Sequence, residues 1–236
     1  MILEIIATSV EDAVAAEQAG AGRIELICAL QEGGLTPSYG LIERTLASVS
    51  IPVRVMIRPH SRDFVYTVDE LETMLADIRM AKRLGASGLV FGALNADGRV
   101  SVPAVQRLCE AAAGLPVTFH RAFDDTPDLY ETLQVLETIP VIDRVLTSGG
   151  HPESAWNART TLCELQAGTP LRLIAGKGLQ PDNLDSFLAE TQLTEVHLGT
   201  GVRFGHRASG GIDKEKVRQA ADIIHQTEQK RKARSN

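Results

Sequence analysis

Pro116-Val117-Thr118-Phe119-His120-Arg121-Ala122-Phe123-Asp124 opens as a short apolar strand and stops abruptly in charge. Side chains alternate along a strand, so Thr118 and His120 share one face. A new helix start follows at Thr126-Pro127. Catalytic side chains of α/β barrels sit at the C-terminal ends of strands, and this stretch has that form. It makes His120, Arg121 and Asp124 the first candidate catalytic residues.

Working outward, the same plan recurs along the chain. Strands are predicted at 3–7, 23–27, 53–57, 88–91, in the 116–124 stretch, and at 141–146, 171–175 and 195–198, where short apolar runs meet turn residues. Helices are predicted between them. Ser9 caps a helix over 10–18, with Glu11 and Asp12 suiting its dipole. Pro37 opens a second helix. Thr67 and Glu70 form a capping box for a third, to 84, closed by Gly85. Further helices are expected over about 101–113, 127–138 and 153–166, from 181, and over 213–230. Strand–helix alternation argues a parallel sheet. Eight units in a chain of 236 residues argue α/β architecture closed as a single (β/α)8 TIM-type barrel, one domain over 1–236 ending in that last helix. An open doubly wound sheet would want a glycine-rich dinucleotide loop after the first strand, and Ala7-Thr8-Ser9-Val10 is not one.

Composition narrows the function classes. The chain is 44% hydrophobic and 23% charged, enough for one sizeable core. A net charge of −6 argues against a nucleic-acid partner. The basic run Lys230-Arg231-Lys232-Ala233-Arg234 is expected to be a solvated, frayed end. No apolar run approaches the ~20 residues of a membrane span, so no membrane partner is expected. The sequence begins directly on a strand, which predicts no signal peptide. Three scattered cysteines, Cys28, Cys109 and Cys163, fit reduced thiols and a cytoplasmic location.

In a closed barrel all strand C-termini open on one face, which gathers Glu25, Arg58, His120, Arg121 and Asp124 as a catalytic set. His120 suits acid–base work, since a free imidazole titrates near 6.5. Polar groups inside a barrel need partners, so a plain buried ion-pair network involving Glu4, Arg23, Glu25 and Arg58 is the competing reading. A second constellation is glycine-rich: Thr147-Ser148-Gly149-Gly150, Gly176-Lys177-Gly178 and Gly199-Thr200-Gly201 end the last three strands. Backbone amides beside helix starts attract anions. Ser148, Gly149, Gly150, Gly176, Lys177 and Gly199, with His197 pointing to the same mouth, are therefore expected to bind a small anionic ligand. Tight βα turns also select glycine, and that reading stays open. Copper(I) prefers thiol and thioether sulfur, and Cys28 is the one cysteine expected near the mouth.

Several segments together resemble the CutC family, named for copper homeostasis. They are Arg23-Ile24-Glu25-Leu26, Glu32-Gly33-Gly34-Leu35-Thr36-Pro37-Ser38, Met56-Ile57-Arg58-Pro59, Val90-Phe91-Gly92-Ala93-Leu94, the 116–124 stretch and Leu146-Thr147-Ser148-Gly149-Gly150. The resemblance spans about residues 2–200. It implies a TIM-type barrel, a cytoplasmic location, a homo-oligomer (dimer or tetramer), and copper homeostasis with weak Cu(I) binding. Cys28 is the metal ligand it suggests, and no other cofactor is called for. The family pattern carries a thiol directly after Arg-Ile-Glu-Leu, whereas here Ile27 takes that place and the thiol follows at Cys28. One step along a strand reverses the face a side chain points to. The alternative function is an enzyme acting on a small phosphorylated or carboxylated substrate, or a barrel without catalysis.

Overall fold

A computed structural model describes residues 1–235. Eight parallel strands close into a barrel in chain order: β1 (Ile2–Ala7), β2 (Arg23–Leu26), β3 (Val53–Met56), β4 (Gly88–Phe91), β5 (Val117–Phe119), β6 (Ile142–Thr147), β7 (Arg172–Gly176) and β8 (Glu195–Leu198). The helices between and after them are α1 (Val10–Gln18), α2 (Tyr39–Leu46), α3 (Val68–Leu84), α4 (Val102–Ala112), α5 (Leu129–Glu137), α6 (Arg159–Ala167), α7 (Pro181–Thr191) and α8 (Lys214–Ser235). The fold is the (β/α)8 barrel that the alternation predicts. Closure is direct: Glu4 on β1 lies opposite Arg23 on β2 and opposite His197 on β8.

Local chemistry sets the helix starts. Ser9 accepts the Asp12 amide ahead of α1, and Thr67 and Glu70 cap α3 reciprocally, with Gly85 at φ +92° ending it. Three helices begin later than the sequence predicts. Ser38, not Pro37, caps α2. Asp128 takes the amides of Tyr130 and Glu131, so α5 starts at Leu129 after a tight 3-10 turn, Arg121–Asp125. A further 3-10 turn, Ala155–Ala158, precedes α6. The basic end also differs from expectation. It continues α8, and Arg231 donates to the carbonyls of Leu188 and Leu193, tying α8 to the end of α7.

The apolar core lies between sheet and helices, not inside the barrel. On β2, Ile24 and Leu26 face outward into this core with Ile5, Ile42 and Val55. Burying each such side chain contributes about 1.5–3 kcal/mol. Arg23 and Glu25 face the other way. The barrel interior, filled in most such folds by branched aliphatics, is here largely ionic. Arg23 bonds Glu4 and, at 2.7 Å, Glu195. Arg144 bonds Glu195 at 2.8 Å and also Asp143. Arg54 reaches Thr118, and Asp143 at 3.3 Å. A small apolar layer of Ile6, Ile27, Met56 and Val90 lies apart from the main core.

Candidate functional site

A cleft of about 540 Å³ opens at the C-terminal face. Its walls include Glu25, Arg58, His120, Arg121, Lys177, Gly199 and His197 from the residues the sequence singles out. Ile6, Ile27, Met56 and Phe64 supply apolar lining.

At its base, His197 bridges two carboxylates. Nδ1 lies 2.7 Å from Glu4 Oε1 and Nε2 lies 3.7 Å from Glu25 Oε2. Burial opposes the imidazolium, but the charges of Glu25 and Glu4 outweigh it and raise the His197 pKa. Burial likewise opposes ionisation of Glu4, yet Arg23 and His197 hold it well below the usual carboxylate range. Glu25 behaves differently. Burial, with the nearby Glu4 charge, pushes it up to about 7 against the pull of His197. Glu25 is 2% exposed, and its Oε1 has no hydrogen-bond partner. Leaving such an acceptor unsatisfied costs about 1–3 kcal/mol, so a ligand or water that donates to it is favoured.

His120 presents the complementary group. Nδ1 accepts the Ala122 amide at 3.3 Å, which assigns the ring proton to Nε2. That Nε2 has no partner. Burial, reinforced by the Arg58 charge, lowers the His120 pKa to about 3. The ring is therefore neutral at ordinary pH and acts as a hydrogen-bond donor. This corrects the sequence expectation that it titrates near neutrality as the acid–base group, since full burial removes the water that stabilises the imidazolium.

The other candidates divide. Arg121 binds Asp124 through Nε at 2.9 Å, and its two terminal nitrogens have no acceptor among the described residues. Lys177 sits at φ +79°, a left-handed conformation uncommon for a side-chain-bearing residue. The amides of Lys177, Gly178 and Gly199 have no acceptor among the described residues. Arg58 lines the cleft and its terminal nitrogens are committed to the loops, donating to the carbonyls of Glu32, Gly34 and Ser61, with the guanidinium stacking 4.5 Å from the Phe64 ring centroid; its buried Nε has no partner among the described residues. It staples the loops after β2 and β3, so it is a wall more than an anion clamp, and it does not pair with Glu4 or Glu25.

The turn after β6 does not offer its amides to an anion. Asp124 already fills it, accepting from the Ser148 amide at 3.0 Å, the Ser148 hydroxyl at 2.9 Å, the Gly150 amide at 3.2 Å and the Thr147 hydroxyl at 2.5 Å. The Gly149 amide goes to Thr147 Oγ1 at 2.8 Å. Ser148 and Gly150 are thus held by an internal carboxylate and Gly149 by the Thr147 hydroxyl, and Asp124 is a positioning residue outside the cleft wall. Gly176 is also outside it; a Cβ there would lie 2.8 Å from Leu146 and 3.2 Å from His197, so this glycine serves close packing. His197 belongs to the base of the cleft between carboxylates, not to the rim as an anion ligand.

Cys28 is not part of the cleft wall. Its thiol donates to the Thr36 carbonyl at 3.2 Å, and burial raises its pKa. Cys109 is buried in the core, where burial raises its thiol to about 12, and Cys163 lies on α6. The cysteines do not converge. Among the described residues the grouping with ligand atoms close enough to share a metal is Glu4, Glu25 and His197, within 4.8 Å. Glu4 has both oxygens engaged, by Arg23 and His197. The remaining oxygen and nitrogen donors do not suit Cu(I), which selects sulfur. Sequence reasoning missed Arg54, Arg144 and Glu195; the available signal was charge at inward-facing positions of otherwise apolar strands.

These features define a (β/α)8 barrel protein with a polar cleft at the face where such barrels carry their sites. The chain belongs to the CutC family, whose profile matches residues 1–202. It is 46% identical over 198 residues to the mouse protein named copper homeostasis protein cutC homolog, covering 83% of this chain and 72% of that one. It is 43% identical over 213 residues to a family protein CutC of Klebsiella pneumoniae, covering 87% and 85%. A crystal structure of the Streptococcus agalactiae CutC superposes with a TM-score of 0.79 at 32% identity, covering 84% of this chain and 98% of that chain. No helix among the described residues is long and apolar enough to cross a membrane.

Proposed function

We propose that the protein is an enzyme acting by acid–base chemistry on a small organic anion bound in this cleft. One observation carries the reading: a buried acceptor without a partner, Glu25 Oε1, and a buried donor without a partner, His120 Nε2, belong to the same cleft. A buried polar group facing a cleft without a protein partner is completed by a ligand or water that bonds to it. The anion is held at the rim by Lys177, the free fork of Arg121 and the amides of Lys177, Gly178 and Gly199. Charge-assisted bonds of this type contribute on the order of 1.5–3 kcal/mol each. Glu25 at the base exchanges a proton with the ligand, with His197 as its ion-pair partner at 3.7 Å. The test is thermal stabilisation by a panel of small phosphates and carboxylates at constant ionic strength. A specific rise in melting temperature, reduced in Lys177→Ala and Arg121→Ala, supports the reading. A response no larger than that of chloride contradicts it.

A second reading is a cytoplasmic role in copper homeostasis, after which the mouse relative is named. The Met56 thioether in the cleft wall favours it. Anaerobic Cu(I) titration against a competing chelator decides it: Cys28→Ser and Met56→Leu weaken binding if these sulfurs are ligands, and leave it unchanged if they are not.

A further inference from the structure

Resting on the cleft reading above, we propose that the reaction is proton transfer at a carbon adjacent to a carbonyl, in a small carbonyl compound carrying a phosphate or carboxylate. Of the three buried groups in this cleft without a partner among the described residues, Glu25 Oε1, Arg58 Nε and His120 Nε2, the first and last have the opposite roles such a step requires. Glu25 Oε1 is an acceptor with a free lone pair, 2% exposed, at the end of β2. His120 Nε2–H is a donor, also on a 2% exposed residue, just past β5. A carboxylate removes a carbon-bound proton, while a neutral imidazole N–H stabilises the oxyanion that forms on the carbonyl oxygen. An imidazolium would be the wrong partner, because it would protonate the oxyanion outright instead of sharing its proton. The Nδ1 contact with the Ala122 amide keeps the ring in the donor tautomer on the cleft side.

Hydroxyl and thiol nucleophiles lack their parts here. No cysteine lines the cleft, and the hydroxyls of Ser61 and Thr200 in its wall are bonded to no base among the described residues. Nucleophilic catalysis by an activated hydroxyl or thiol therefore has no candidate. Proton transfer needs no co-reactant. The C–H bond breaks and its proton goes to Glu25. The bonding pair forms a C=C bond, and the carbonyl π pair becomes an oxygen lone pair held by His120. Reprotonation at the same carbon exchanges hydrogen; where that carbon bears a hydroxyl, reprotonation at the former carbonyl carbon, with the hydroxyl proton passing to the oxyanion, isomerises the compound. Glu25 itself returns the proton, and His197, hydrogen-bonded to Glu4 and 3.7 Å from Glu25, balances the charge of the two carboxylates.

Hydrogen exchange tests this without knowledge of the natural substrate. The intact protein is incubated in D₂O with dihydroxyacetone phosphate, ribulose 5-phosphate and 2-oxobutanoate, and loss of the carbon-bound α-proton signal is followed by NMR. Thermal shift is recorded with the same probes. The expected result is exchange of at least one bound probe about 100-fold faster than in buffer. Glu25→Gln slows it about 100-fold while the thermal shift persists, and His120→Gln slows it about 10-fold or more. His120→Gln also serves if Glu25→Gln does not fold. A probe that stabilises the protein but exchanges no faster than in buffer overturns the inference and leaves the cleft reading standing. Exchange unaffected by either substitution overturns it as well. If no probe stabilises the protein, both fail together.

Discussion

Glu25 and His120 show how burial, aided by neighbouring charges, divides labour between two titratable side chains. Both are almost fully buried, yet burial favours the protonated form of the carboxyl and the neutral form of the imidazole. The two leave opposite marks on stability. Glu25 has a folded pKa of about 7, above its ordinary 4.5. Its contribution is therefore complete below pH 4.5 and is lost as pH rises through 7, on the order of 3 kcal/mol over the full titration. Glu25→Gln is expected to match wild type near pH 4 and to exceed it near pH 8, measured as urea midpoints across pH. Equal midpoints at pH 8 would show that Glu25 is an ordinary surface-like carboxylate. His120 has a folded pKa of about 3, below its ordinary 6.5. Its contribution is present above pH 6.5 and is lost as pH falls toward 3. His120→Gln should accordingly flatten the acid limb of the same curve. The free atoms on these residues could not be read from the sequence. Glu25 and His120 are legible as strand-end polar residues, but only the fold shows that neighbouring groups leave one atom of each unanswered.

At the scale of single elements, the loops after β5, β6 and β7 act as one unit. Asp124 ties the 3-10 turn after β5 to the turn after β6 and holds Arg121 by its Nε. Asp124→Ala leaves the Ser148 and Gly150 amides and the Thr147 hydroxyl without their acceptor, while the Ser148 hydroxyl keeps the His151 carbonyl. A loss of about 3 kcal/mol or more is expected in chemical unfolding, together with faster amide exchange at Ser148 and Gly150. Lys177 makes the converse case. A lysine at φ +79° is strained by about 1–2 kcal/mol relative to glycine. Lys177→Gly should raise stability by about 1 kcal/mol and weaken anion binding, a trade expected where strain is kept for function. Sequence legibility is uneven at this level. The glycine-rich turns read as anion sites, and the reading fails after β6 because Asp124, a residue from another loop, supplies the anion. A carboxylate more than twenty positions away gives no local signal in Ser148-Gly149-Gly150. The late starts of α5 and α6 were likewise hidden, since 3-10 turns share the residue preferences of a first helical turn.

For the whole molecule, the barrel was legible because strand–helix alternation repeats through the chain and each unit carries its own punctuation. Its ionic interior was only half legible: Glu4, Arg23 and Glu25 stand out in β1 and β2, whereas Arg144 and Glu195 look like ordinary strand-edge charges until closure brings β6, β8 and β2 around one axis. Arg23 is the hub of this interior, bonded to Glu4 and Glu195 and buried with both. Arg23→Met should cost about 3–5 kcal/mol, because it leaves two carboxylates buried with fewer partners. The loss should change little between low and high salt, as buried pairs are poorly screened; a strongly salt-dependent loss would contradict the buried network. The same interior fixes the base of the cleft, so fold and function meet there. The most direct measurement of the central claim is a crystal structure of the protein with the small acid that stabilises it most in the thermal screen. The account predicts a ligand with one atom in hydrogen-bond reach of Glu25 Oε1, an oxygen at His120 Nε2, and its anionic group at Lys177, Arg121 and Gly199. A ligand seated outside the cleft, or one that leaves both Glu25 Oε1 and His120 Nε2 untouched, would contradict it.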